Sequence, residues 1–263
     1  MDTLSVLIPS RLGKVSAGTG SRLFVERAIE SIRCQTIAHR LKFQILVGVD
    51  AGASKPAPLC GDPEIRLAMS TGRSQAAALN AAASLIDGSL VSILEDDDQW
   101  DPRFLEHATN SLQTVDFVSS TQLEIGTEGE IVRINDFPTP SGWVMRRATR
   151  EAVGNFDESL RWHLDNDWLG RLGDKRLLRA HLVEATAPIQ PHIVGPIRPW
   201  LVNYLRFGGP SCRLVRHDSP WPLVKRHVHG EAGTQRIIRD PMLLAESRNE
   251  CQILMGRFGR VPW

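Results

Sequence analysis

The first 120 residues switch between short apolar runs and stretches with helical spacing, and the order predicted is strand, helix, strand, helix. Leu4–Ile8 is a short, apolar, β-prone run stopped by Pro9, which predicts a buried strand. Residues 11–21 hold three glycines, two serines and a lysine and read as a loop. Leu23, Phe24, Ala28, Ile29 and Ile32 recur at helical spacing, predicting a helix over Ser21–Gln35 with Ser21 as its N-cap. Phe43–Val49 predicts a second buried strand, running into Asp50-Ala51-Gly52 and a Gly-, Pro- and Ala-rich loop over 52–63. A third strand follows at Ile65–Met69, a helix at Gln75–Ile86 ending near Asp87-Gly88, and a fourth strand at Leu90–Leu94. Pro102 opens a further helix with Asp101 placed to cap it, and Phe117–Thr121 is a fifth strand.

This alternation specifies βαβ units and a mostly parallel sheet covered by helices. In such sheets ligands sit at the carboxyl ends of the strands, and Asp50 and Glu95–Asp98 both fall there. Beyond Thr121 the regularity fades. Gln122–Ile125 and Ile131–Ile134 flank Gly126-Thr127-Glu128-Gly129 as a hairpin. Arg147–Val153 is a short helix closed by Gly154-Asn155, Leu164–Leu172 is another, and Leu182–Ala187 returns to the sheet. From Pro188 the chain is rich in Pro, Arg, His and Trp, and its pattern assigns no element.

A chain of 263 residues is long enough for one large or two small domains. No apolar run has the length of a membrane span, and Met1-Asp2-Thr3-Leu4 lacks the basic start and long apolar stretch of a signal peptide, so a cytoplasmic protein is expected. Cys34, Cys60, Cys212 and Cys251 form no CxxC pair, which argues against a cysteine zinc site and for reduced, mostly buried thiols. The net charge of +1 conceals a division: residues 1–170 carry about 16 Lys/Arg against about 23 Asp/Glu, and the remainder about 15 against about 7. The acidic part suits a metal ion. The basic part faces a phosphate, an anionic acceptor or an anionic membrane surface, or else lies on the acidic half of its own chain.

Leu94-Glu95-Asp96-Asp97-Asp98-Gln99-Trp100 carries the strongest local signal. Four adjacent carboxylates repel one another, and a hard divalent cation such as Mg²⁺ or Mn²⁺ relieves this while keeping positions open for substrate phosphates. The other reading is a solvated acidic turn capping the next helix. At the end of an apolar strand in a βαβ array, the run resembles the Asp-X-Asp-type motif of GT-A fold glycosyltransferases of the family 2 type. That resemblance implies a mostly parallel Rossmann-like α/β sheet with a small antiparallel part and a C-terminal extension. It also implies inverting transfer of a sugar from a nucleotide diphosphate to an acceptor hydroxyl. The motif alignment places Asp97 on the usual metal ligand, with Glu95 beside it where Asp is commoner.

Other segments extend the resemblance from residue 4 to about 172. Val6-Leu7-Ile8-Pro9-Ser10-Arg11 is similar to the family's first strand, with Ser10-Arg11 where an Asn is frequent. Phe43–Asp50 is similar to its second strand and keeps one of two usual aspartates as Asp50. Gly72-Arg73-Ser74-Gln75 through Asn80 is similar to its glycine-led helix start. Ser141-Gly142-Trp143-Val144-Met145-Arg146-Arg147 and Glu151–Glu158 match its acceptor-side stretch. By this resemblance Pro9, Arg11, Asp50, Arg73, Asn80, Asp96 and Trp143 contact the nucleotide sugar. In His163-Leu164-Asp165-Asn166-Asp167-Trp168, aligned from Arg171-Leu172, Asp165 falls on the second acid of the family's pair, the general base, and Leu164 replaces the first. Asp167 is the alternative base. Among His192, His217, His227 and His229, the stretch Arg226–Gly230 favours His229 as a late metal ligand.

The implied division is a GT-A domain over 1–190, with a nucleotide-binding half over 1–100 and an acceptor half over 101–190, then a basic extension over 191–263. The implied partners are a nucleotide-diphosphate sugar and a divalent cation, with a carbohydrate, glycolipid or small-molecule acceptor. Nucleic acid is not among them, and the basic part offers a peripheral membrane contact. Two alternatives remain: a sugar nucleotidyltransferase, from the faint phosphate-loop pattern Gly18–Leu23, and an inactive binding protein on the same fold.

Overall fold

A computed structural model describes residues 2–17, 20–53, 57–187, 212–230 and 232–262. In chain order the elements are β1 (Asp2–Ser10), β2 (Lys14–Ala17), β3 (Gly20–Leu23), α1 (Phe24–Arg33), β4 (Leu41–Val49), α2 (Ala57–Cys60), β5 (Ile65–Met69) and α3 (Gln75–Ala83). Then follow β6 (Leu90–Ile93), β7 (Gln99–Trp100), α4 (Phe104–Ser111), β8 (Phe117–Ser120), β9 (Gln122–Ile125), β10 (Ile131–Asn135), β11 (Val144–Arg146), α5 (Arg147–Val153) and α6 (Leu164–Asp174). The last described elements are β12 (Arg179–Val183), β13 (Cys212–Arg216), β14 (Val224–His227), α7 (Gly233–Arg239) and α8 (Pro241–Phe258).

Among the described residues the main sheet has eight strands in the order β13-β12-β8-β11-β6-β1-β4-β5. The pairs of β1 with β4 and β6, of β4 with β5, and of β12 with β8 and β13 are all parallel. Only β11 runs against its neighbours. A second sheet, β10-β9-β14-β7, and a hairpin of β2 and β3 lie apart from it. The mixed α/β architecture with a mostly parallel central sheet is the one the sequence specifies.

Both faces of the main sheet are covered, as its unbroken apolar strands require. Leu4, Val6 and Ile8 of β1 pack with α1 and α4 on one face, while Leu7 and Leu46 pack with α3 and α6 on the other. Helix α3 lies so close to the sheet that only glycine fits beneath it. A Cβ at Gly48 would stand 1.9 Å from the carbonyl oxygen of Ala78. Backbone cannot yield there as a side chain could, so Gly48→Ala is expected to cost about 1–3 kcal/mol or more. A urea midpoint unchanged in that variant would contradict the close packing.

Several sequence expectations need correcting. The stretch 11–21 is not a plain loop but contains the β2/β3 hairpin, so Ser21 lies in a strand and the N-cap position of α1 falls to Leu23. Helix α1 starts at Phe24, and Glu26 reaches back to accept the Leu23 N–H at 2.8 Å. Helix α4 starts at Phe104, two residues beyond Pro102, although Asp101 still accepts from Arg103 N at 3.0 Å. Cys34 and Cys60 are exposed and Cys212 and Cys251 half-buried, so the thiols are free but not mostly buried. Within the basic extension, β13 pairs with β12 at the edge of the main sheet and β14 lies between β9 and β7 in the second.

Candidate active site

The carboxyl ends of β1, β4 and β6 deliver Pro9-Ser10, Asp50 and Glu95–Asp97 to one cleft of ≈ 750 Å³. Arg11, Arg73, Asp165 and His229 line the same cleft. Nine of the residues expected at the site therefore come together from six separate parts of the chain: Pro9, Arg11, Asp50, Arg73, Glu95, Asp96, Asp97, Asp165 and His229.

The members of the acidic run are held by several partners, with Ser141 Oγ reaching both Glu95 and Asp98. Glu95 accepts from Gln75 Nε2 at 2.5 Å, and Asp96 from Ser10 Oγ at 2.5 Å. Asp97 Oδ2 meets His229 Nε2 at 2.8 Å. Asp98 turns into the protein, where it accepts from Ser141 Oγ at 2.6 Å and from the His227 N–H at 3.1 Å. Burial and the nearby Asp97 charge push the Glu95 and Asp96 carboxyls up to about 7, and Asp98 is raised well above the ordinary aspartate range for the same reasons. Arg226, with a side chain only 20% exposed, lies against this cluster and bonds Glu124 Oε1 at 3.0 Å. Sequence reading missed Arg226, because nothing in its local pattern tells that β14 carries it into the acidic strand end.

The donors present fit a hard divalent cation in part. Among the described residues no group of three or more His, Cys, Asp or Glu side chains forms a metal-binding cluster. The Asp97–His229 pair nonetheless stands ready. Its 2.8 Å separation is close to the roughly 3 Å between adjacent ligands of an octahedral ion bound at about 2.1 Å. The His229 ring is held by stacking on Phe24, with centroids 5.1 Å apart. Such ions take one or two protein ligands and complete their shell with substrate phosphates and water.

The other histidines have other work. His227 Nε2 is shared between Arg27 and Gln99 at 2.9 and 3.0 Å, and burial and Arg27 hold its pKa down to about 4. His217 is buried against His107, and His192 lies outside the described residues.

Two expected sugar-nucleotide contacts are not in the cleft. Trp143 is fully buried; its Nε1 donates to Pro138 O at 2.7 Å and its ring packs on Phe117, Phe156 and Trp168. A large aromatic gains most from complete burial, and this one has no face left for a substrate. Asn80 is committed to the protein. Its side chain bonds both Phe156 N and Phe156 O, at 2.9 and 3.0 Å, and reaches Glu158 at 2.8 Å. Asn80 therefore anchors the loop that places Glu158 on the cleft rim.

Asp165 opens the first turn of α6, half-buried on the cleft wall, and burial raises its pKa. Asp167 is excluded as the alternative base. Two helical residues turn the side chain to the opposite face, where it is fully buried and held by Arg257 and by Arg171 Nε at 2.9 Å. Arg226 on Glu124 and Arg257 on Asp157 and Asp167 show that part of the tail's positive charge is matched by the acidic half of the chain. No helix among the described residues is long and apolar enough to cross a membrane.

The fold recurs in known proteins. S. aureus TarS 1–349 in complex with UDP superposes with a TM-score of 0.53 over 97% of this chain and 70% of that one, at 12% identity. Its complex with UDP-GlcNAc gives 0.51 over 97% and 71%, also at 12% identity. The chain has a GT-A-like glycosyltransferase fold. No protein-family profile matches it. At the level of sequence it is 25% identical over 162 residues to a Bacillus subtilis (strain 168) protein named uncharacterized glycosyltransferase YwdF. That match spans 53% of this chain and 59% of the relative. In the GT-A-like frame, Gly20–Leu23 of the phosphate-loop pattern is strand β3, while Gly18 and Thr19 lie outside the described residues.

Proposed function

We propose that the protein is an inverting glycosyltransferase that moves a sugar from a nucleoside diphosphate to an acceptor hydroxyl, with Asp165 as general base. One observation carries this reading: Asp50, the Asp97–His229 pair and Asp165 line a single cleft at the strand ends. In this reading Asp50 accepts a hydrogen bond from the nucleotide base, and Pro9, Arg11 and Arg73 flank the nucleotide. Asp97 and His229, with Glu95 nearby, would hold a divalent cation, which when bound would neutralise charge on the departing diphosphate. UDP-sugars are the first donors to test, because the TarS complexes of the same fold hold UDP and UDP-GlcNAc.

The chemistry assigned to the chain's own groups is a single displacement. The acceptor oxygen gives its proton to Asp165 as it attacks the anomeric carbon, and the carbon–oxygen bond to the diphosphate breaks with inversion. Arg226 keeps Asp98 and Glu95 tolerable beside Asp97. A thermal-shift screen of UDP, GDP, ADP, CDP and dTDP with and without Mn²⁺ tests the reading. One diphosphate should stabilise the protein, and only with the metal. If none does under either condition, there is no donor site.

The raised pKa of Asp165 gives a pH prediction. The base must be deprotonated, so the rate falls as pH drops through its folded pKa. Burial moves that acid limb above the ordinary aspartate value of about 3.9. A pH–rate profile of sugar release should show the shift, and a limb at or below the ordinary value points away from Asp165.

A further inference from the structure

The base helix has an unusual beginning. His163, at the N-cap of α6, caps no helical N–H with its side chain, and the backbone N–H groups of residues 161–163 find their acceptor elsewhere. They are collected by a carboxylate nearly 90 residues on. Glu250 of α8, only 8% exposed, accepts from Arg161 N at 2.8 Å, from Trp162 N at 2.9 Å and from His163 N at 2.9 Å. Three successive main-chain donors on one buried carboxylate, beside the positive end of a helix, form a tight anchor.

More bonds from the same helix reinforce it. Glu246 Oε2 accepts from Arg161 Nη1 at 3.3 Å and Trp162 Nε1 at 3.2 Å, and Ser247 Oγ meets His163 Nε2 at 2.9 Å. Gly170 of α6 lies against the Phe258 ring, leaving no room for a Cβ. The anchored segment is the one that lines the cleft with Arg161, Trp162, Leu164 and Asp165, whereas Glu250 itself does not reach the cleft.

We propose that Glu250 is the positioning residue of the acceptor wall: its carboxylate fixes the main chain from which Asp165 is presented, so the C-terminal helix sets the geometry of proton removal. This rests on Asp165 being the base, as proposed above. It gives the C-terminal helix a role in the reaction besides covering the core.

The test uses the full chain with Glu250→Ala, Glu250→Gln and, as a control for loss of packing alone, Leu254→Val in the buried face of the same helix. UDP release from UDP-GlcNAc with Mn²⁺ present is followed, together with the UDP thermal shift and amide hydrogen exchange. Glu250→Ala should lower kcat by about 10- to 100-fold, the scale of loss when a reacting group is displaced by about 1 Å. KM for the donor and the UDP shift should stay near wild type. Exchange should rise in 161–167 but not in 94–99. Glu250→Gln should fall between, and Leu254→Val should lose stability without the kcat loss.

A wild-type rate in Glu250→Ala, or an equal kcat loss in Leu254→Val, overturns the proposal. Unchanged exchange in 161–167 overturns it even if the wild-type protein releases no UDP. Failure of the wild-type protein to bind any of the five nucleoside diphosphates counts instead against the glycosyltransferase reading.

Discussion

Asp165→Asn is expected to slow sugar transfer by about 10²- to 10⁴-fold, the usual contribution of a positioned general base. Binding should survive. The asparagine keeps the size of the side chain and can still accept the Asn166 N–H that Asp165 Oδ1 accepts at 2.8 Å. Nothing in that substitution touches the strand ends that hold Asp50 and Asp97. The expected signature is therefore an unchanged UDP thermal shift with Mn²⁺ and a collapsed kcat. Asp167→Asn provides the contrast. It breaks a buried pairing with Arg257 and Arg171 and should lower stability while sparing kcat in the protein that remains folded. Normal turnover in Asp165→Asn would remove the assigned base.

Asp97→Ala is expected to fail at an earlier stage. The substitution removes one half of the Asp97–His229 pair and with it the carboxylate proposed to hold the cation. Metal ions contribute several kcal/mol of charge stabilisation in such reactions, which corresponds to a rate loss of about 10³-fold or more. The metal-dependent part of the UDP thermal shift should vanish with it. The folded protein should tolerate the change well, because removing one charge from a crowded run relieves Glu95, Asp96 and Asp98, all raised by it. Isothermal titration with Mn²⁺ and UDP separates the outcomes. Undiminished metal-dependent UDP binding in Asp97→Ala would move the ion to another set of ligands.

The sequence was most legible where local pattern and tertiary demand coincide. Ile65–Met69 and Arg147–Val153 are found to the residue, because each is an apolar or helical run with clear stops on both sides. Gly154, at φ +90, ends the second of these in a conformation that favours glycine. The strand β11, three residues long, escaped because so short a run has no period; its pairing with β6 and β8 makes it a strand. Helix α8 was missed for a different reason. Its apolar residues are spread around the axis, with Met242 and Ile253 exposed, so periodicity is weak. Its end signals were nevertheless present: Asp240 accepts from Met242 N, Pro241 opens the first turn, and Gly259 takes a left-handed φ of 71.

At the site, residue type and strand-end position located the acidic groups, but direction of approach could not be read. Trp143 and Asn80 sit within segments that resemble substrate-contacting stretches, and both turn inward. Arg161, Trp162 and Arg226 line the cleft and went unnoticed, since only the docking of α8 and β14 puts them there.

Strand β14 has a consequence for how the molecule comes into being. It pairs with β9 on one side and β7 on the other, although both are synthesised about 100 residues before it. A nascent chain leaving the ribosome therefore carries an unzipped β9 edge, open to pairing with neighbours, until residues 224–227 have emerged. Asp98 also waits, since its backbone partner His227 arrives with the same strand. Premature termination before residue 224 leaves a sticky, half-assembled intermediate, and chaperones are expected to meet the protein at that stage.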